Sequence, residues 1–142
     1  MIQPYLTSQK INQFEYLILI VFAVLGLFLL CSSNDLLTAY LAIELQSLAF
    51  YVLASFKKTS TYSVDAGIKY FILGAFSSSL FLFGSSLLYG VTGTINFDEF
   101  RDLFVTLFED SSNAAGLFDT SLIKFGLIFI LISLLFKLAI AP

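Results

Sequence analysis

The stretch 36–56 constrains this chain more than any other, because it is almost wholly apolar and carries one carboxylate, Glu44, near its middle. A helix of that length, rising about 1.5 Å per residue, crosses a bilayer core of about 30 Å. Glu44 would then lie near the midplane, where an ionised carboxylate is costly unless it faces protein, water or a counter-charge. The stretch therefore predicts a membrane-spanning helix with a functional carboxylate.

Glu44 shares its predicted helix face with other polar side chains. Tyr40, Ser47 and Tyr51 stand at i−4, i+3 and i+7 from it, and helical periodicity places all of them on one side. Hydrogen bonding between helices explains the tyrosines and the serine. It does not require an ionisable group, so we interpret Glu44 as functional and look for its partner.

The composition indicates an integral membrane protein. Of 142 residues, 58% are hydrophobic and only 12% are charged, whereas a soluble domain has about 25% charged residues. One cysteine, Cys31, and no histidine exclude a disulfide framework, a Cys/His zinc site, His-ligated haem and a four-Cys iron–sulfur cluster. No nucleotide-binding glycine pattern, nucleophile motif or basic patch is present. The groups left for chemistry are carboxylates, lysines, hydroxyls and water.

Apolar periodicity predicts an all-α, polytopic membrane protein that forms a single membrane domain over 1–142. About four transmembrane helices and one amphipathic loop helix are expected, at 14–30, 36–56, 64–91, 122–142 and, for the loop helix, 97–109.

Local signals refine these predicted helices. Asn34 or Ser33 is predicted to cap the second span, and Ser63 the third. Gly74 and Ser78 form a small-xxx-small pair that favours close packing against a neighbouring helix. The loop helix is opened by Asn96-x-x-Glu99 in the manner of a capping box. Because that helix is acidic, docking on another subunit is expected rather than binding to anionic lipid.

Lys137, in the fourth span, is the predicted partner of Glu44. Snorkelling to the membrane surface is the alternative for such a lysine, but the sequence stays apolar after it and ends in Pro142. A proline clashes with the carbonyl four residues before it, so the last helix is predicted to be broken near its end. Freed carbonyls and water at such a break can solvate a charge. A buried carboxylate and amine would titrate as a unit, which is what a proton relay requires. Lys69, near the start of the third span, is a further candidate that could equally snorkel.

Basic residues set the expected orientation. Lys57 and Lys58 lie in the second loop and Lys10 in the N-terminal segment, whereas the long loop 94–120 has Arg101 among many acids. The positive-inside rule places the N-terminus and the Lys57–Lys58 loop on the cytoplasmic or matrix side, and 94–120 opposite. The start shows no signal or transit pattern, which favours a bacterium or an organelle genome, and the composition leans towards the organelle.

Three runs of the sequence resemble a known family: AYLAIELQSLAFYVLA, VDAGIKYFILGAFSSSLFLFGSSLLYGVTGTINFDE and LLFKLAIAP. Together they resemble the subunit-2 branch of the antiporter-like membrane subunits of mitochondrial respiratory complex I, over about residues 15–142. The first run is shared more loosely by other antiporter-like subunits, and the middle run is more specific to this branch.

The resemblance implies a membrane-arm subunit of a proton-translocating NADH:ubiquinone oxidoreductase in the mitochondrial inner membrane. Glu44 stands at the position of the family's relay glutamate, Lys137 at that of its broken-helix lysine, and Lys69 at that of a further relay lysine. The resemblance also implies that this chain binds no cofactor, since other subunits bind NADH, flavin, iron–sulfur clusters and the quinone headgroup. Partners would be the other membrane-arm subunits and membrane lipids.

The chain departs from the family in helix number, since about four helices form only a partial antiporter-like bundle. The remaining helices are expected on a separate polypeptide, as in a split or truncated subunit. Two other functions stay open: a structural membrane subunit without its own pumping role, and a subunit of a multisubunit cation/proton antiporter.

Overall fold

A computed structural model describes residues 13–109 and 120–138, and within them it contains five helices. Their bounds are α1 Gln13–Ser32, α2 Leu36–Ala54, α3 Thr61–Thr92, α4 Phe97–Glu109 and α5 Thr120–Lys137. Contacts group the described residues into two units, one of 13–32 with 41–75 and one of 33–40 with 76–109 and 120–138.

Three of the described helices have the length and composition of membrane spans. Residues Phe14–Ser32, Leu36–Ala54 and Thr61–Thr92 are each long and apolar enough to cross a bilayer. α5 adds 18 residues of mostly apolar sequence. Large apolar side chains stay exposed on these helices, as Phe28 and Phe76 show, which suits a hydrocarbon environment. The all-α membrane fold predicted from the sequence is confirmed.

In the first unit, α2 packs against α1 and α3 through small residues. A Cβ on Gly26 of α1 would meet the Ala42 carbonyl oxygen at 3.0 Å, so only glycine fits there easily. On the other side, Gly74 of α3 packs against the ring of Tyr51, which also meets Tyr70 edge-on at 4.8 Å between centroids. Gly74 is buried, as its predicted packing role requires.

Hydrogen bonds set the ends of α2 and α3, and they differ from the predicted caps. Asp35 caps α2, because its Oδ1 accepts the N–H of Thr38 at 2.9 Å. Hydrogen bonds from Thr38 to the Asp35 carboxylate lower the pKa of Asp35, with the larger contribution from the Thr38 side chain and the smaller one from its backbone N–H. α3 begins at Thr61, since the backbone carbonyl of Ser60 accepts the Val64 N–H at 3.2 Å. The predicted cap Ser63 instead donates to the Ala54 carbonyl at 2.8 Å, which ties the start of α3 to the end of α2.

The second unit has an apolar core that α4 helps to form. Buried side chains from four helices meet there: Leu36, Phe81, Leu88, Phe100 and Ile123. The apolar face of α4 at Phe100 and Phe104 therefore packs within the chain, where the sequence predicted docking on another subunit.

The start of α4 is fixed by polar contacts to the α1–α2 turn. Asn34 donates its side-chain amide to Asp98 Oδ2 at 2.8 Å, and its carbonyl accepts the Phe97 N–H at 3.0 Å. Asn96 caps α4, since its Oδ1 accepts the Asp98 N–H at 2.9 Å. The Asn96 N–H donates to Thr94 Oγ1 at 3.1 Å, so threonine fills the return position that a capping box would give to Glu99.

Two glycines let α3 and α5 approach closely. A Cβ on Gly84 would stand 2.7 Å from the Gly126 carbonyl oxygen, and one on Gly126 would stand 3.0 Å from that of Gly84. Neither contact is with a flexible side chain, so any added atom must move a backbone. The pair fixes the distance between the two helices at this point.

Replacing Gly84 with alanine is expected to destabilise the chain by about 1–3 kcal/mol, because overpacking at a backbone contact forces the helices apart. Gly90→Ala is the matched control, since nothing lies within 4 Å of a Cβ there and alanine favours a helix. Thermal unfolding of both variants in detergent or lipid measures the difference. Equal unfolding temperatures for the two would contradict the proposed close contact.

Candidate functional site

Glu44 lies on the packed face of α2, within the first unit. Its side chain is half-buried, and the other members of the predicted polar face are also covered: Tyr40 is half-buried, whereas Ser47 and Tyr51 are 5% and 6% exposed. Apolar residues of the opposite face remain exposed, with Leu41 at 58%. The helix thus turns its polar stripe towards protein and its apolar stripe outwards, the arrangement of a membrane helix.

Glu44 is the only carboxylate of this stripe, and the other members make contacts of their own. Ser47 donates its hydroxyl to the Glu44 backbone carbonyl at 3.1 Å, so the serine is satisfied within its own helix rather than across helices as predicted. Tyr40 stacks on Phe81 with ring centroids 5.9 Å apart. Tyr51 is held among aromatic rings and Gly74. The stripe therefore carries one carboxylate on a face whose other members, Tyr40, Ser47 and Tyr51, are neutral and packed.

Lys137 is the last residue of α5 and belongs to the second unit. Its side chain is half-buried, which fits neither an exposed surface lysine nor a fully enclosed one. Leu138 donates its N–H to the Leu134 carbonyl at 2.9 Å, so the helical hydrogen bonds continue to the end of the helix. A cation there is favoured by the carbonyls of the last turn. The predicted helix break at Pro142 lies outside the described residues.

Ser133, one turn before Lys137, is the most enclosed polar residue of α5. It is 1% exposed and contacts Ser77 of α3, which is also 1% exposed. The sequence singled out Ser133 through its i−4 spacing but not Ser77, which stands among similar serines. Only the packing of α5 on α3 identifies it.

Lys69 has a different environment. It is exposed on α3 and forms an ion pair with Asp65 one turn earlier, with Nζ 2.6 Å from Oδ2. An exposed pair at i,i+4 spacing contributes little to stability. Glu44 and Lys69 belong to the first unit and Lys137 to the second. The relay role of all three stays a prediction.

The described residues offer no cluster of three or more His, Cys, Asp or Glu side chains that could hold a metal ion. Cys31 is exposed, at the end of α1. A carboxylate such as Glu44 and an amine such as Lys137 are each able to bind and release a proton.

The sequence matches a known protein family over most of its length. Residues 33–142 match the family model described as NADH:quinone oxidoreductase/Mrp antiporter, TM. The chain is 43% identical to NADH-ubiquinone oxidoreductase chain 2 of Marchantia polymorpha, over 97% of this chain and 27% of that protein. It is 50% identical to NADH-quinone oxidoreductase subunit N of a Wolbachia from Brugia malayi, over 88% of this chain and 25% of that protein.

A solved structure is similar as well. A chain of respiratory complex I from Thermus thermophilus, with bound aureothin, superposes with a TM-score of 0.71 and 32% identity, over 92% of this chain and 26% of that chain. The chain thus spans about a quarter of the length of the relatives it matches. With a family match over most of its length, this chain belongs to the NADH:quinone oxidoreductase/Mrp antiporter family of transmembrane proteins.

Proposed function

We propose that this chain is a membrane-arm part of a proton-translocating NADH:quinone oxidoreductase, in which Glu44 and Lys137 bind and release protons. The observation that carries the proposal is the half-buried carboxylate of Glu44 on the packed face of a membrane helix, in a chain whose relatives bear the names of chain 2 and subunit N of that enzyme. An ionisable group at such a position is costly to keep, which favours a function.

The proton chemistry follows from the two groups. A carboxylate can accept a proton from an ammonium, and the carboxylic acid so formed can return it to the neutral amine, so the pair can pass a proton in either direction when side chains or water join them. Each group sits on a helix made mostly of apolar residues, where a low local dielectric strengthens the effect of any nearby charge. Electron transfer from NADH to quinone would take place in other subunits, which supply the driving force.

Partners and location are part of the proposal. The partners are the other membrane-arm subunits and membrane lipids, in the mitochondrial inner membrane. The exposed Lys57 and Lys58 support a matrix side for their loop, and the exposed acids of α4, among them Asp98 and Asp102, support the opposite side for 94–120. The separate polypeptide expected to carry the remaining helices stays a prediction, which mass spectrometry of the purified complex would test.

Purification of the tagged chain from mild detergent is expected to yield a complex that oxidises NADH with a quinone. This experiment also separates the alternatives within the family, whose description covers antiporters too. A complex that exchanges cations for protons without oxidising NADH would identify an antiporter subunit and contradict the proposal. A tagged membrane protein of unrelated family, purified in parallel, controls for activity carried over from the membrane.

A further inference from the structure

Two buried serines join α3 to the end of α5. Ser77 Oγ lies 3.1 Å from the Ser133 carbonyl oxygen and 3.2 Å from Ser133 Oγ. Both residues are 1% exposed, and they are the largest fully buried side chains among the described residues. We call Ser77 and Ser133 the hydroxyl pair.

The two distances allow an arrangement of the hydrogens that satisfies both hydroxyls. Each hydroxyl has one hydrogen to donate and two lone pairs to accept with. When Ser77 donates to the Ser133 carbonyl, Ser133 can donate to Ser77 Oγ, and both hydroxyls are then satisfied. No buried side-chain nitrogen or oxygen in the described residues lacks a partner. Removing either hydroxyl would leave the other one with poorer hydrogen bonding in a site closed to solvent.

The helix contact holds the hydroxyl pair in register. On α3, Gly84 follows Ser77 by seven residues. On α5, which runs in the opposite direction, Gly126 precedes Ser133 by the same seven residues. The glycine pair sets the closest approach of the helices. Two helical turns away, the antiparallel register brings the serines together. The contact is thus a consequence of how α3 and α5 pack, and it would not survive a shift of either helix.

The hydroxyl pair acts on the turn that carries Lys137. In an α-helix, the carbonyl of Ser133 accepts the N–H of Lys137, and its second lone pair receives the Ser77 hydroxyl. Lys137 is the last residue of α5, where helical hydrogen bonds would otherwise fray. A long side chain in a helix leans towards the residue four positions earlier, which here is Ser133. The Lys137 N–H and the Ser77 hydroxyl therefore share one acceptor, and the stem of Lys137 is expected to lie beside it.

We infer that the hydroxyl pair positions Lys137, by fastening the last turn of α5 to α3, and that Ser77 and Ser133 are positioning residues for the proton transfer assigned to that lysine. This inference rests on the proposed function. It means that a residue of α3, Ser77, helps to set the position of the Lys137 side chain on α5.

Ser77→Ala and Ser77→Cys in the complete membrane complex test the inference. Cysteine is somewhat larger than serine and is a much weaker hydrogen-bond donor and acceptor, whereas alanine is smaller and has no hydroxyl. A loss shared by both variants therefore reports the missing hydrogen bonds and not a change of side-chain volume. Ser79→Ala is the matched control, because Ser79 is exposed and donates only to the Phe76 carbonyl of its own helix. Proton pumping is measured against pH and normalised to the amount of assembled complex.

Both Ser77 variants are expected to lower pumping about fivefold, to move the pH of half-maximal pumping, and to lose no more when Ser133→Ala is added, since the two hydroxyls act as one unit. Pumping and a pH profile equal to those of Ser79→Ala would overturn the inference, as would fully additive losses. If Ser77→Ala does not assemble, Ser77→Cys gives the deciding comparison. Unchanged pumping in Lys137→Met would instead overturn the proposed function.

Discussion

Replacing Glu44 with glutamine is expected to lower proton pumping by roughly tenfold or more, with little change in the amount of assembled complex. Glutamine keeps the size and much of the hydrogen bonding of the side chain, but it cannot take up and release a proton at physiological pH. The half-buried position of Glu44 on a packed helix face means that few other groups could replace its carboxylate. Proton uptake by inner-membrane vesicles during NADH oxidation, divided by the electrons transferred, measures the loss.

Glu15→Gln is the matched control for Glu44→Gln. Glu15 is an exposed glutamate in the first turn of α1, so its neutralisation changes the net charge by the same amount without removing a carboxylate from an apolar stretch. It is expected to pump like the unaltered protein. If the Glu44 variant also keeps its proton-to-electron ratio and its turnover, the chain is a structural membrane subunit and the relay proposal is wrong.

Apolar runs predicted the helices well because membrane helices are long and their composition is extreme. The ends depended on contacts that the sequence does not display. α2 ends at Ala54, two residues before the predicted end at 56. The Ser55 hydroxyl donates to the Tyr51 and Val52 carbonyls, so it competes with backbone N–H groups for those acceptors. α3 runs to Thr92, one residue past the predicted end at 91, and stops before Gly93, whose φ of 74° favours glycine.

The polar face of α2 was predictable because helical periodicity alone decides which residues share a side. The role of Ser77 was not, because Ser77, Ser78 and Ser79 look alike in the sequence. The structure separates them: Ser77 bonds across to α5, while Ser79 is exposed and bonds within its own helix. Likewise, Gly84 and Gly126 form the close backbone contact, and no signal in either helix connects them before α3 and α5 are packed.

Replacing Lys137 with methionine is expected to lower proton pumping at least as much as Glu44→Gln, by roughly tenfold or more. Methionine matches the length and apolar stem of lysine but carries no charge and no exchangeable proton, so the end of α5 should still pack. Lys137→Arg adds a sharper distinction. Arginine keeps the positive charge but stays protonated at any physiological pH, so it can hold a charge in place without releasing a proton.

Proton transfer by Lys137 predicts that the methionine and arginine variants fail alike, whereas a purely electrostatic role predicts that arginine restores pumping. Lys124→Met is the matched control, because Lys124 lies on the same helix but is exposed. The measurement is the proton-to-electron ratio in membrane vesicles at equal amounts of assembled complex. Full pumping in the arginine variant would show that the lysine supplies only a field, and the proton would then have to pass through Glu44 and water without an amine.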